Sequence, residues 1–181
     1  LVADNWTGSS AKLEACLELV TEAVAGGHRI LLFSQFTSML ELLAKRLDEA
    51  GVSHFTLQGS TPKPVRAEQV RRFNQGEADV FLISLRAGGT GLNLTAADIV
   101  IHYDPWWNLA AQNQATDRAY RIGQRNPVQV YRLIAQDTIE EKIVELQQAK
   151  QSLADTVTGG ADGAILSMNP EQLLQLLGEE A

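Results

Sequence analysis

Cysteine is nearly missing: Cys16 stands alone among 181 residues. One cysteine excludes an intramolecular disulfide, gives no thiolate metal site and no stapled secreted scaffold, and leaves no disulfide partner. Also missing is any run approaching the ~20 apolar residues that a membrane-spanning helix needs. The first residues have no basic stretch or apolar core of a signal peptide. A soluble protein in a reducing compartment is expected, with no membrane association; compact connections, without a long insertion between Gly59 and Gln114, favour the cytoplasm over a nucleus. Positive charge is scarce as well. Lys and Arg number 15 against 22 Asp and Glu, for a formal charge of -7, which excludes a protein that binds nucleic acid through its overall field. There is no internal repeat and no long low-complexity segment.

What remains is enough for one core. With 45% hydrophobic residues, a chain of this length buries one full core and carries a short appendage. The charge is unevenly spread. Residues 54 to 135 hold nine basic side chains (Lys63, Arg66, Arg71, Arg72, Arg86, Arg118, Arg121, Arg125, Arg132) against six acidic ones, so this stretch is locally +3 and the two ends together are -10.

Leu13, Leu17, Val20 and Val24 recur at helical spacing between Ser9 and Gly27, with a serine to cap and a Gly-Gly stop. Arg29 to Phe33 is a strand-length apolar run. Ser38 with Glu41 predicts a capping box ahead of a helix bearing Leu40, Leu43 and Leu47, ended by Gly51. His54 to Leu57 reads as a strand, and Thr61-Pro62 as the cap and first-turn proline of a helix to about Gln75. Asp79 to Ser84, Asp98 to Tyr103 and Val128 to Ile134 are further strands. Alternating strands and helices predict an α/β fold, a parallel sheet with helices on both faces. Ligands of such sheets bind beyond the carboxyl ends of the strands, here the loops after Phe33, Leu57, Ser84 and Tyr103 and the helix before Val128. After Ala135 no strand follows. Asp137 and Glu140 predict a second capping box, before a helix to about Thr156 carrying Ile139, Ile143 and Leu146. Gly159, Gly160 and Gly163 then join it to a short helix with Leu173, Leu174, Leu176 and Leu177. The expected division is a sheet domain over 1–136 and a helical C-terminal extension over 137–181.

Two segments carry candidate chemistry. From Ile83 to Leu94, three glycines and Thr90 follow directly on a strand, and backbone N–H groups in such a turn can hold a phosphate; such a turn is also often only a turn. It lacks the third glycine of a dinucleotide fingerprint, and no Gly-Lys-Ser/Thr follows as in a phosphate loop. Gly8 to Lys12 fails the same test. From Gln114 to Gln124, Arg118 and Arg121 lie three apart, on one face of a helix. One reading is an exposed basic face. The other is an arginine pair aimed at a phosphate during transfer, a role worth roughly 10³ to 10⁵ in rate. His28, His54 and His102 have no partners at metal-ligand spacing, and Asp48-Glu49-Ala50 lies at a helix end as ordinary surface charge.

The segments Ile30 to Phe36, Gln58 to Thr61, Ser84 to Leu94, Asp104 to Asn108 (DPWWN) and Gln114 to Gln124 (with DRAYRIGQ) stand in the order and spacing of motifs IV, V and VI of superfamily-two ATPases. Over about residues 9 to 150 the chain resembles the C-terminal RecA-like lobe of the Swi/Snf family. Leu109, Asn113 and Tyr120 depart mildly from that family's pattern. The resemblance implies a two-lobe DNA translocase that closes over ATP and Mg²⁺, with the phosphate loop and metal-binding acids on an N-terminal RecA-like lobe, the partner of this segment, which would be inactive alone. It implies Arg121 as arginine finger, assisted by Arg118, with Gln114 and Gly91 facing the nucleotide. For double-stranded DNA it implies Gln58, Gly59, Ser60, Thr61, Ser84, Arg86, Gly88, Gly89, Thr90 and Trp107, with Ser34 and Gln35 nearby and Trp106 packed inward. It also likens the C-terminal helices to the family's brace. Two other readings stand beside it: a non-catalytic lobe that binds nucleic acid or protein, and the matching lobe of an RNA helicase, against which DPWWN and RIGQ argue.

Overall fold

The computed structural model describes residues 10–85, 92–106, 113, 116 and 127–158, with the backbone alone at 151 and 153–158. Two compact units divide the chain, Leu1–Ile143 and Val144–Ala181. The first contains, in chain order, α1 (Ala11–Ala25), β1 (Ile30–Ser34), α2 (Thr37–Glu49), β2 (His54–Leu57), α3 (Lys63–Asn74), β3 (Val80–Ser84), β4 (Ile99–His102) and β5 (Gln129–Arg132). The last described helix, α4 (Ile139–Thr158), begins in the first unit, and its run after Ile143 is the described part of the second.

The five strands form one parallel sheet in the order β2-β3-β1-β4-β5. β1, β3 and β4 are buried along their whole length, which is why they read as continuous apolar runs. Side chains alternate between two faces. Ile30, Leu32, Val80, Leu82, Ile99 and Ile101 pack with Leu13, Cys16 and Val20 of α1 and Leu40, Leu43 and Leu47 of α2. Leu31, Phe33, Phe81, Ile83 and Val100 pack on the opposite face with Phe73 of α3 and with Leu92, Leu94 and Ala97. The connection from β1 to β2 moves one way along the sheet on the α2 face, and that from β2 to β3 returns on the α3 face. Opposite directions on opposite faces give both crossovers the same hand. Burial pushes the Cys16 thiol up to about 12, so it is an inert core group.

α1, α2 and α3 end in the same way, with Gly27, Gly51 and Gly76 at φ 80, 69 and 86. In α2 the amide of Val52 reaches Leu47 O at 2.9 Å and that of Gly51 reaches Asp48 O at 3.0 Å, which satisfies carbonyls the helix leaves over.

Helix starts differ from expectation in three places. Ser38 and Glu41 form no capping box: α2 starts at Thr37 with Phe36 as its N-cap and no side-chain cap, because Ser34 already receives the Phe36 amide at 3.1 Å. Thr61 does not cap α3. The helix starts at Lys63 with Pro62 at the cap and Pro64 inside the first turn, while Thr61 Oγ1 accepts the Gln58 amide at 3.0 Å. At α4 the capping contacts move one residue along. Thr138 Oγ1 takes the Glu140 amide at 3.2 Å and Glu141 takes that of Asp137 at 2.8 Å, leaving Asp137 at φ 55. Ser10 does cap α1 as expected, accepting from Leu13 at 3.2 Å.

Candidate functional site

The sheet register lines up the expected loops. Ser34 pairs with Ser84 across β1 and β3, and Leu57 with Ile83 across β2 and β3, so Gln58, Ser84 and Ser34 stand level on three neighbouring strands. Adjacent strands lie ~4.8 Å apart, which makes this a continuous polar row at the carboxyl edge, where open parallel sheets bind ligands.

Each loop in the row is held by a named bond. Ser34 Oγ donates to Asp104 Oδ2 at 2.5 Å, and the Gln35 amide donates to the same oxygen at 3.2 Å. The Leu85 amide reaches Ser34 O at 3.0 Å and the Tyr103 amide reaches Phe33 O at 2.9 Å. The loops after β1, β3 and β4 are thereby tied to one another. Burial raises the Asp104 carboxyl above the usual carboxylate range, opposed by the bonds from Ser34 and Gln35. After β2 the chain turns tightly: the Thr61 amide donates to Gln58 O at 3.1 Å and the Gln58 amide to Thr61 Oγ1. Gln58 and Thr61 are half-buried, and Gly59 and Ser60 are exposed. A Cβ on Gly59 would meet no atom within 4 Å, and its φ is not in the left-handed region.

His102 closes β4 and is buried. Its ring stacks on Phe33 with centroids 5.5 Å apart, and Nε2 lies 2.9 Å from Thr116 Oγ1. Burial, and secondarily the Arg132 guanidinium, lower its pKa to about 4, so the ring is neutral at pH 7. His28 pairs with Asp98 at 2.8 Å. Two histidines that offered no partner in the sequence therefore have specific ones in the fold.

Of the residues expected at DNA, Gln58, Gly59, Ser60, Thr61 and Ser84 all reach this edge, with Ser84 buried at 2% exposure. Arg86, Gly88, Gly89, Thr90 and Trp107 lie outside the described residues, as do Gln114, Gly91, Arg118 and Arg121 of the expected nucleotide site. Trp106 is half-buried. Within the locally basic stretch, Arg71 pairs with Glu68 at 2.6 Å and Arg72 with Glu77 at 2.7 Å, two acids already counted in its net +3. Sequence reasoning missed Asp104, His102 and Thr116 as site residues. The available signal was a polar residue ending or following a fully apolar strand. Among the described residues no group of three His, Cys, Asp or Glu could hold a metal ion.

The helicase conserved C-terminal domain family matches residues 11–123. A Mycoplasma pneumoniae protein named uncharacterized ATP-dependent helicase is 43% identical over 93% of this chain and 16% of its own length. Bacillus subtilis YwqA, named putative ATP-dependent helicase/translocase, is 44% identical over 93% of this chain and 18% of its own. The chromatin-remodeling ATPase INO80 of Aspergillus terreus is 47% identical over 88% of this chain and 9% of its own. The chain thus spans under a fifth of each of these relatives. Among solved structures, the C-terminal part of the Fun30 ATPase domain superposes with a TM-score of 0.74 at 36% identity, over 81% of this chain and 47% of that one.

The chain belongs to the helicase conserved C-terminal domain family, and its parallel five-stranded sheet is a RecA-like fold. Within that family it is of the Swi/Snf type, a C-terminal lobe akin to those of the INO80 and Fun30 ATPases.

Proposed function

We propose that the chain is the second motor lobe of an ATP-dependent double-stranded-DNA translocase. In this reading Arg121 is the arginine finger and Arg118 assists it, Gln114 and Gly91 border the nucleotide, and an N-terminal lobe brings the phosphate loop and the Mg²⁺ ligands. The segment turns over no ATP alone. Residues 137–181 act as its brace-like extension. The observation that carries this is the accessible turn from Gln58 to Thr61 at the carboxyl edge, level with the buried Ser84 and Ser34 of the neighbouring strands, in a chain of this family. Hydroxyls and backbone N–H groups are the donors that grip phosphate oxygens without reading base sequence. Closure of two lobes around nucleotide, driven by contacts that differ between the two states, converts hydrolysis into movement along the duplex.

Gly59 adds support. Neither packing nor backbone angle requires glycine there, and a missing side chain that the fold does not need suits close approach by a ligand backbone. In the full-length protein, Gly59→Ala should leave thermal stability unchanged and weaken DNA binding, and Arg121→Ala should abolish DNA-stimulated turnover while sparing ATP binding. DNA affinity should also fall steeply with salt. Unchanged turnover in Arg121→Ala, together with salt-independent binding, would leave a binding module and sink the motor reading. Strong hydrolysis by the 181-residue chain alone would do the same.

A further inference from the structure

His102 is an expensive residue for its position. It is 1% exposed, it stacks flat on Phe33 at an interplanar angle of 20°, and its Nδ1 is a buried atom with no hydrogen-bond partner. An apolar side chain would fill the same space without the cost of desolvating two ring nitrogens. Among the described residues the imidazole makes one hydrogen bond, from Nε2 to the hydroxyl of Thr116. A buried N–H left unbonded is rarer than an unbonded lone pair. The tautomer that follows carries its hydrogen on Nε2, which donates to Thr116 Oγ1, and leaves a bare lone pair on Nδ1.

Position gives that bond its meaning. His102 is the last residue of β4, at the edge where the site loops gather, and it projects on the α3 face beside Phe33. The connection from β4 to β5 covers residues 103 to 128. Thr116 is a described residue of that connection and lies against His102 on that face. In the sequence Thr116 falls two residues after Gln114 and two before Arg118.

We propose that His102 is a positioning residue: its imidazole holds the Thr116 hydroxyl at the carboxyl end of β4, and through that residue it acts on the turnover assigned above to Arg118 and Arg121, which follow Thr116 in the sequence. The proposal rests on the motor-lobe reading. A tether of this kind acts on turnover through geometry, since displacing a transition-state group by ~1 Å costs on the order of 10²-fold.

Thr116→Val removes the hydroxyl at nearly constant shape, and Thr116→Ser keeps it. In the full-length protein with DNA, Thr116→Val should lower kcat for ATP by roughly 10- to 100-fold at unchanged KM, with a lowered melting temperature because the buried Nε2–H loses its acceptor, and Thr116→Ser should restore most of the rate. Wild-type kcat in Thr116→Val, or equal loss in both variants, overturns the proposal. Nitrogen-15 NMR of the histidines reads the tether without turnover: His102 should show a protonated Nε2 and a bare Nδ1, with the Nε2 signal shifted in Thr116→Val. A ring protonated on Nδ1, or a signal indifferent to Thr116→Val, overturns it as well. The two readings fail separately. Arg121→Ala inactive beside a fully active Thr116→Val removes only the tether's role, whereas Arg121→Ala with normal turnover removes the motor reading and the positioning role with it.

Discussion

The Ser34 hydroxyl and the Asp104 carboxylate meet at 2.5 Å across 70 residues of sequence. The pair joins the turn after β1 to the turn after β4, and the same carboxylate oxygen takes the Gln35 amide. Because Asp104 is buried at 5% exposure, removing a donor leaves a charged acceptor short of a partner at a cost of about 1–3 kcal/mol. Ser34→Ala should therefore lower unfolding free energy in urea by that amount without changing the slope. It should also raise the Asp104 pKa further, since the Ser34 bond is what most opposes the burial effect; carbon-13 NMR of the carboxyl checks this. An unchanged midpoint and unchanged carboxyl titration would mean that the bond contributes nothing.

That contact also marks the limit of what was legible in the sequence. Five strands and the four described helices are visible in the chain itself, because apolar runs in a sheet covered on both faces and leucines at helical spacing are local patterns. Helix starts are not local in the same way. Ser38-x-x-Glu41 satisfies the capping-box pattern, yet α2 begins earlier, because Ser34 fixes the Phe36 amide and is itself fixed by Asp104. Thr61 fits the cap pattern and instead closes the Gln58 turn. His102 offered no partner at any short spacing, and its partner Thr116 becomes a neighbour only once β4 and the following connection are folded. The loops that form the candidate edge follow from the parallel topology, whereas the bonds that tie the loops after β1 and β4 to each other depend on a pair separated by 70 residues.

Lys12 and Glu140 form the second long-range tie, joining the first turn of α1 to the first turn of α4 at 2.5 Å. The pair is largely sheltered, with side-chain exposures of 13% and 22%. The ammonium also sits over the Tyr103 ring, 4.9 Å from its centroid, and Glu140 takes the Ala135 amide at 2.8 Å. Glu140 therefore has two partners to lose. Glu140→Ala should destabilise the chain by about 2 kcal/mol, and Lys12→Met by less, because the methionine keeps the aliphatic packing and Glu140 keeps its amide donor. Thermal unfolding of the two variants gives the order. Equal effects would mean that the Ala135 bond adds nothing, and loss of the whole difference in high salt would mark the pair as an ordinary screened surface contact.

His102 gives the fold a pH dependence whose sign follows from its lowered pKa. Burial, then Arg132, which sits opposite it in the β4–β5 register, depress its pKa from 6.5 to about 4. Above pH 6.5 the ring is neutral both folded and unfolded, and the stability is complete. As the pH falls toward 4 the unfolded chain takes up a proton that the folded chain refuses, so stability falls by at most ~1.4 kcal/mol per pH unit, about 3 kcal/mol in all. Asp104 works in the opposite sense, because its raised pKa favours the folded state at low pH and loses that contribution as the carboxyl ionises. The histidine effect is therefore read as a difference: wild type should lose more stability than His102→Gln between pH 7 and 4.5, while at pH 7 the glutamine, lacking the ring that stacks on Phe33, should be the less stable of the two. Parallel melting curves for the two proteins across that range would show that His102 ionises in the folded state as freely as in the unfolded one, which a ring closed in at 1% exposure does not permit.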